Sequence, residues 1–336
     1  MPRPEPGGGH AATGISRFCR GRGGYAVRRA WQERVRRIGV LGSSIEADPE
    51  IQARMAALRQ GLARFGWSEG RNIQITYRFT GGSAEQAASL AKELVALKPD
   101  LIVATATSLA AALQRETRVI PVVFTGVVDP VRSGLIVSLA RPGGNLTGGL
   151  LNEPSVAGKW LGMLKEYAPK LKRVAVLTNP KSGPYQSFYQ ETAETVARTL
   201  GIELVPSLIE GPADIERIVA GFAAGQDGGL LVPPDLTAAS NHDLVIALAA
   251  RYRLPAVYQA RFWVQAGGLM SYGPDTIARY RQTAYYVDRV LRGVAPADLP
   301  VQAATKYETV LNLKTARALG LEVPPGILVA ADEVIE

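Results

Sequence analysis

The side chains able to do chemistry in this sequence are hydroxyl, amide and carboxylate groups that directly follow short apolar runs. They are Ser43, Ser44, Thr107, Ser108, Asp129, Asn179, Asp235, Tyr272 and Asp275. Ligands of open α/β sheets bind beyond the carboxyl ends of the strands, so these positions predict one polar site. Hydroxyl and helix N-terminal N–H groups suit a carboxylate, and an aspartate suits an amine. The pattern therefore predicts a site for a small polar molecule or a zwitterion.

Each of these residues also has a purely structural interpretation. Asp129 precedes Pro130, a pattern typical of an N-cap followed by proline at the first helical position. Asn179 precedes a proline, which is a turn signal. Asp235 and Asp275 can each cap the helix that follows. Because a cap at a cleft can also contact a ligand, both interpretations stay open.

Sequence templates for catalysis are absent. The chain has no GxSxG, GxxxxGK[ST] or HExxH pattern. Its single cysteine, Cys19, excludes an internal disulfide, and two histidines, His10 and His242, are too few for a multi-histidine metal site. The stretch 39–44 lacks GxGxxG, which leaves an NAD- or phosphate-dependent enzyme as a distant alternative. The sequence predicts a binding protein without catalytic residues, cofactor or metal.

The positive charge is concentrated at the N-terminus. The chain of 336 residues carries a net charge of +8, but residues 1–37 hold nine arginines against two glutamates, so the rest is nearly neutral. No nucleic-acid partner is therefore expected. Residues 1–34, rich in Gly, Pro and Arg, predict a disordered basic tail without the apolar stretch of a secretory signal. No apolar run reaches the roughly 18 residues of a membrane span.

Apolar strand-like runs alternate with amphipathic segments from residue 36 onward. Strands are predicted at 37–42, 72–79, 101–105, 122–126, 173–178, 203–209, 229–232, 256–258 and 269–271. Helices are predicted at 49–65, 84–97, 107–115, 131–140, 154–167, 184–200, 213–223, 238–252, 275–292 and 313–319. Such alternation predicts an α/β fold with parallel sheets covered by helices. The alternation repeats after the turn-rich stretch 141–149, so we expect two doubly wound lobes.

Several longer blocks occur together in a familiar order. They include RRIGVLG (36–42), IPVVFTGVVDPVRSGLIVSLARPGGNLTG (120–148), KRVAVLTNP (172–180) and GGLMSYGPD (267–275). Over residues 35–336 the chain resembles the ABC-transporter substrate-binding protein family that includes tryptophan- and tyrosine-type binding proteins. The resemblance implies a periplasmic-binding-protein-like fold of class I, whose lobes close over the ligand about a hinge. Lobe one would comprise 35–149 plus 268–295, and lobe two 150–267 plus 296–336.

The resemblance also implies a set of ligand contacts on the loops after the strands. Carried over by motif, these are Ser43, Thr105, Ser108, Asp129, Asn179, Asp235 and Tyr272. In relatives that bind aromatic amino acids, aspartates hold the amine, and hydroxyl and amide groups hold the carboxylate. Aromatic residues that are candidates for contacting such a ligand are Phe124, Tyr185, Tyr258 and Phe262, and core packing explains each of them at least as well.

The expected function is that of a solute-binding component of an ABC import system. It would trap a small polar solute, an aromatic amino acid among the candidates, and deliver it to an ABC permease. By resemblance the location is periplasmic, with membrane contact only through the permease. The alternative is a cytoplasmic ligand sensor that uses the same fold.

Overall fold

A five-stranded parallel sheet forms the first part of the chain. The computed structural model describes residues 34–336 apart from 180, 182–185, 224, 226 and 305, so the predicted basic tail lies outside the described residues. The strands are β1 (Arg36–Gly42), β2 (Ile73–Phe79), β3 (Leu101–Ala104), β4 (Val122–Val127) and β5 (Leu146–Leu150). Their order is β2-β1-β3-β4-β5. This strand order, which moves outward in both directions from β1 and β3, is typical of a doubly wound sheet.

A seven-stranded sheet forms the second part. Its strands are β6 (Arg173–Thr178), β7 (Glu203–Leu208), β8 (Gly228–Val232), β9 (Ala256–Tyr258), β10 (Met270–Pro274), β11 (Tyr307–Asn312) and β12 (Glu333–Ile335). They lie in the order β12-β11-β10-β9-β8-β6-β7. The β10–β11 pair is antiparallel and the other pairs are parallel.

Helices cover both sheets. They are α1 (Pro49–Arg64), α2 (Ala84–Ala96), α3 (Thr107–Glu116), α4 (Val156–Tyr167), α5 (Gln186–Leu200), α6 (Pro212–Phe222), α7 (Leu236–Ser240), α8 (His242–Arg251), α9 (Arg261–Gln265), α10 (Thr276–Leu291), α11 (Leu313–Leu319) and α12 (Pro325–Ala330). In α1, Asp48 accepts a hydrogen bond from the Glu50 N–H and proline occupies the first turn. Met55, Leu58 and Leu62 are buried, and each such burial stabilises the fold by about 1.5–3 kcal/mol.

Helix α10 packs beside α1 on the five-stranded sheet. Its Tyr280 and Val287 share one core cluster with Met55 of α1 and Val40 of β1. The contact is close because Gly61 has no side chain: a Cβ there would lie 2.6 Å from the Ala284 Cβ. Yet α10 directly follows β10, a strand of the other sheet. The chain therefore crosses between the sheets at 274–276.

Two further crossings join the sheets. The chain leaves β5 at Leu150 and enters α4 at Val156. After α10, the segment 299–302 lies against β5 of the first sheet. Thr147 Oγ1 donates to the Leu299 carbonyl at 2.6 Å, and the Leu150 N–H donates to the Gln302 carbonyl at 2.9 Å. The chain then returns to the seven-stranded sheet as β11. Strand placement thus differs from the predicted lobes: β10 pairs in the second sheet, and 299–302 binds the first. Hydrophobic periodicity identifies a strand without indicating its pairing partners.

The element boundaries differ from the prediction in a few places. The predicted helix at 131–140 is a series of turns, since only isolated turn bonds such as Ser133 N–H to the Asp129 carbonyl form before Gly134, at φ 69°, reverses the chain. The predicted helix at 238–252 is two helices that meet at Asn241. The prediction missed β5, β11 and β12; of these, β5 contains two glycines and β12 has three residues.

Gly148 of strand β5 allows a test of the backbone geometry. Gly148 has φ 149°, and a Cβ there would lie 1.9 Å from the Phe124 carbonyl oxygen of β4. We expect Gly148→Ala to lower the free energy of unfolding by about 3 kcal/mol or more, because the clash is with backbone. Gly144→Ala is the control, because its Cβ would meet no atom within 4 Å. Chemical denaturation of both variants measures the difference, and equal stabilities would contradict this geometry.

Candidate functional site

A cleft of about 390 Å³ lies between the two sheets, beyond the carboxyl ends of their strands. One wall is formed by residues that follow β1, β3 and β4, together with the start of α1. The other wall is formed by residues that follow β8 and β9, while Thr276 and Arg279 line the cleft from α10, the helix that packs on the five-stranded sheet. This volume is within the range of small-molecule sites. Both doubly wound sheets therefore contribute to one site, as the polar strand ends in the sequence predict.

The first wall contains the N-terminus of α3. Ser43, Thr105 and Gly126 line the cleft at the ends of three strands. Helix α3 begins after Ala106, which provides no side-chain cap for the first-turn N–H groups. The Thr107 hydroxyl is already used, because it accepts a hydrogen bond from the Val128 N–H at 3.0 Å. An uncapped helix N-terminus is a favourable place for a negative charge.

The second wall is organised by Asp235. This buried carboxylate lines the cleft, and its Oδ1 accepts from the Ala238 N–H at 2.9 Å, capping α7. Its Oδ2 accepts from the Asn179 N–H at 2.8 Å, while Asn179 Nδ2 donates to Thr237 Oγ1 at 2.9 Å. Asp235 is thus both a cap and a cleft residue, so its two interpretations are compatible.

A buried arginine also lines the cleft, and the sequence interpretation missed it. Arg279, on the first turns of α10, is 8% exposed, and its Nε and Nη1 atoms have no hydrogen-bond partner among the described residues. Burial lowers the pKa of its guanidinium to about 10, so it stays protonated at neutral pH. The available signal was an arginine on the buried face of an amphipathic helix, in line with Thr283 and Tyr286.

Charged groups of both signs face the cleft. Besides Arg279 and Asp235, the lining includes Asp48, Glu50 and Arg54 from the start of α1. Arg54 Nη2 lies 3.1 Å from Glu50 Oε1, so this pair is locally neutral. Opposite charges in one cleft suit a ligand that itself carries both signs.

The structure brings together three of the seven binding residues implied by resemblance. Ser43, Thr105 and Asp235 line the cleft. The other four are not among the residues that line it. Asn179 contacts the Asp235 carboxylate, and Asp129 Oδ1 accepts from the Arg132 N–H at 3.1 Å. Ser108 Oγ is buried without a partner in the described chain, and Tyr272 stacks on Tyr307 with ring centroids 5.4 Å apart. Asp129 adopts φ 36° in a turn and caps no helix. Ligand contact by these residues stays a prediction.

One of the four aromatic candidates reaches the cleft. Phe262 lines it, whereas Phe124 and Tyr258 are buried in the cores of the first and second sheets. Tyr185 lies outside the described residues. Phe262 also has the Arg54 guanidinium 5.8 Å above its ring and His242 at its edge.

The described residues contain neither a metal-binding cluster nor a membrane-spanning helix. No group of three or more His, Cys, Asp or Glu side chains in this part of the chain is arranged to hold a metal ion. Within the same residues, every helix is too short or too polar to span a bilayer.

Comparisons with known proteins find relatives over most of the chain. The sequence pattern of the family described as ABC transporter substrate binding protein matches residues 38–335. A tyrosine-binding protein of Clostridioides difficile is 26% identical over 280 residues, which cover 83% of this chain and 80% of that protein.

Solved structures also resemble this chain over most of its length. A conserved domain protein from Vibrio cholerae superposes with a TM-score of 0.84 at 30% identity, covering 90% of this chain and 100% of that one. An ABC domain from Streptococcus pneumoniae, in complex with L-Trp, gives 0.82 at 27% identity, covering 89% and 99%. The α/β fold expected from the sequence, with two sheet-based lobes of the periplasmic-binding-protein type, is confirmed.

Asp235 allows a test of the second wall. We expect Asp235→Ala to lower the free energy of unfolding by about 2–3 kcal/mol, because it removes a helix cap and leaves the buried Asn179 N–H unpaired. Asp243→Ala, at an aspartate whose side chain is 87% exposed, is the control and is expected to stay within about 0.5 kcal/mol of the parent. Urea denaturation of the two variants measures both values. A stability loss no larger than the control's would refute the structural role of Asp235.

Proposed function

The chain belongs to the ABC transporter substrate-binding protein family, and we propose that it captures an amino acid and presents it to an ABC permease. The family binds solutes, so solute binding is the activity of this protein. The identity of the solute, the permease and the site residues belong to the proposal. One observation carries the proposal: a cleft of small-molecule size between the two sheets, with acidic and basic side chains on its walls.

An α-amino acid fits the chemistry of this cleft. Its carboxylate and ammonium groups need partners of opposite sign inside one small volume, and the cleft offers Arg279 on one side and Asp235 on the other. Two of the three named relatives support this, since one is a tyrosine-binding protein and the other holds L-Trp. We therefore propose an aromatic amino acid as the solute, with Phe262 as the aromatic side chain that contacts its ring.

Closure of two lobes about the crossing segments is the proposed mechanism. We place the lobe boundaries at the three crossings, at 150–156, 274–276 and 302–307. A ligand that contacts both walls binds the closed form more tightly, so it shifts the population toward closure. The solute would leave chemically unchanged. We propose a site of action outside the cytoplasmic membrane, as is typical of the family, with membrane contact only through the permease.

An ion pair links the turns after β4, in the first lobe, to α5, in the second. Arg132, in the turns after β4, places Nη2 at 3.1 and 3.2 Å from the two carboxylate oxygens of Glu191 in α5. Its Cζ lies 3.8 Å from the ring centroid of Phe188, also in α5. The pair is half exposed, so its stabilisation of the closed form is modest.

A ligand screen tests the proposed solute class. The full chain, unfolded and refolded to remove bound host ligand, is heated with each of the twenty amino acids and with neutral sugars and polyols. At about 100 times its dissociation constant, a true ligand adds roughly 2.7 kcal/mol of stability, which raises the melting temperature. We expect L-tryptophan or L-tyrosine to give the largest rise. Stabilisation by sugars or polyols alone would reject the amino-acid assignment.

A variant of Arg132 tests the contribution of its ion pair to ligand binding. Arg132→Ala should raise the dissociation constant for the stabilising amino acid up to about fivefold, because an exposed pair contributes at most about 1 kcal/mol. The effect should become smaller in 1 M NaCl, which screens the exposed Arg132–Glu191 pair but not the packing of Arg132 on Phe188. The control is Arg64→Ala, an exposed arginine at the far end of α1. Calorimetric titration measures all three proteins, and an unchanged constant at low salt would exclude a role for Arg132 in closure.

A further inference from the structure

We propose that Arg279 and the N-terminus of α3 form a carboxylate-binding subsite at the floor of the cleft. The proposal deepens the proposed function, on which it rests, by naming the group of the solute that is recognised. It also assigns the carboxylate to a residue different from the hydroxyl and amide groups that the sequence indicates.

The position of Arg279 is set by backbone on two sides. A Cβ added to Gly126 would lie 3.5 Å from the Arg279 Cζ, 3.6 Å from its Nη1 and 3.3 Å from the Thr105 carbonyl oxygen. The guanidinium therefore packs against bare backbone of β4, next to the strand end that leads into α3. Gly126 has φ 75°, a conformation in which side chains are strained, so glycine keeps this space open.

The charges around the Arg279 guanidinium favour binding of an anion. Arg279 is more than nine-tenths buried, and its Nε and Nη1 atoms find no acceptor in the described part of the chain. The largest influence on its pKa is burial, which opposes the charge. The uncapped first turn of α3 adds partial positive charge from Ala106 and Thr107, which line the same cleft. Both features concentrate unneutralised positive charge on one place.

A purely structural role explains these observations poorly. Structural buried arginines form ion pairs or hydrogen bonds, because an unpaired buried charge is unfavourable by several kcal/mol, about 3–5 when a partner is removed. Arg54, on the same cleft, shows the ordinary arrangement through its pair with Glu50. Arg279 lines a ligand-sized cleft, and a guanidinium is the side-chain group best suited to hold a carboxylate.

The first experiment compares ligands and needs no variant. The refolded full chain is titrated with L-tryptophan and with L-tryptophanamide, which keeps the ring and the ammonium group but removes the negative charge. We expect the acid to bind at least about 50-fold more tightly than the amide, because the amide leaves the guanidinium unpaired. Equal affinity for the two compounds would overturn the subsite.

The second experiment assigns the preference to Arg279. Arg279→Gln should weaken L-tryptophan binding by about 50-fold or more while leaving L-tryptophanamide within a few fold of its parent value. Arg279→Lys should retain part of the preference, since it keeps the charge but loses the fork. Arg289→Gln, an exposed position on the same helix, is the matched control. An acid preference that survives Arg279→Gln would overturn the assignment.

The third measurement separates ligand binding from a structural role. Arg279→Met removes a buried charge that has no ion-pair partner among the described residues, so the ligand-free variant should melt at the parent temperature or above it, with the L-tryptophan-induced rise lost. A melting temperature more than about 5 °C lower without ligand would assign Arg279 to the fold and contradict the proposal.

Failure of the amino-acid assignment can be told apart from failure of the subsite. If no amino acid stabilises the protein, 3-phenylpropionate and 3-phenylpropionamide are titrated next. Preference for the acid, lost in Arg279→Gln, would keep the carboxylate subsite and reject the amino acid. Tryptophan binding that is unaffected by Arg279→Gln would keep the amino acid and reject the subsite. Binding of neutral polyols alone would reject both.

Discussion

The architecture depends on the placement of helix α10. This helix packs on the five-stranded sheet, although the strand before it, β10, belongs to the seven-stranded sheet. Strand β10 pairs within the seven-stranded sheet, and α10 then packs against α1 on the five-stranded sheet, where Gly61 and Ala284 allow close contact. Because both ends of this unit are buried in different cores, the chain has to cross at 274–276. The first turns of α10 consequently lie at the cleft, and they carry Arg279 into it.

Polar groups at the cleft combine local and functional roles. Asp235 caps α7 and holds the Asn179 backbone while facing the cleft, and Asp48 caps α1 at the opposite wall. Caps have fixed geometry, since their oxygen atoms are held by backbone N–H groups. A site built on such groups loses little side-chain entropy when a ligand binds. Arg279 is the exception, because its Nε and Nη1 atoms have no hydrogen-bond partner in the described part of the chain, and departures from ordinary polar pairing are typical of functional positions.

The contacts proposed to hold the closed form differ in strength. The Arg132–Glu191 pair is half exposed and modest in energy, so it favours closure without locking it. A buried charge-assisted contact between the solute and Arg279 is stronger, because water no longer screens it. The proposed delivery to a permease requires this arrangement, in which closure is stable with the ligand and weak without it.

The sequence by itself determined the fold class and the region of the site. Period-two and period-3.6 patterns identified most strands and helices, and polar residues at strand ends such as Ser43 and Asp235 pointed to the cleft, because parallel strands bring their carboxyl ends to one edge. The tertiary structure alone decided the rest. Sheet membership of β10 depends on pairing partners that periodicity does not specify, and Asp129 faces a turn because its neighbours do not continue as a helix. The helical repeat did not reveal Arg279. Its significance comes from burial without an ionic partner among the described residues, a property that exists only after α10, β4 and α3 have packed together.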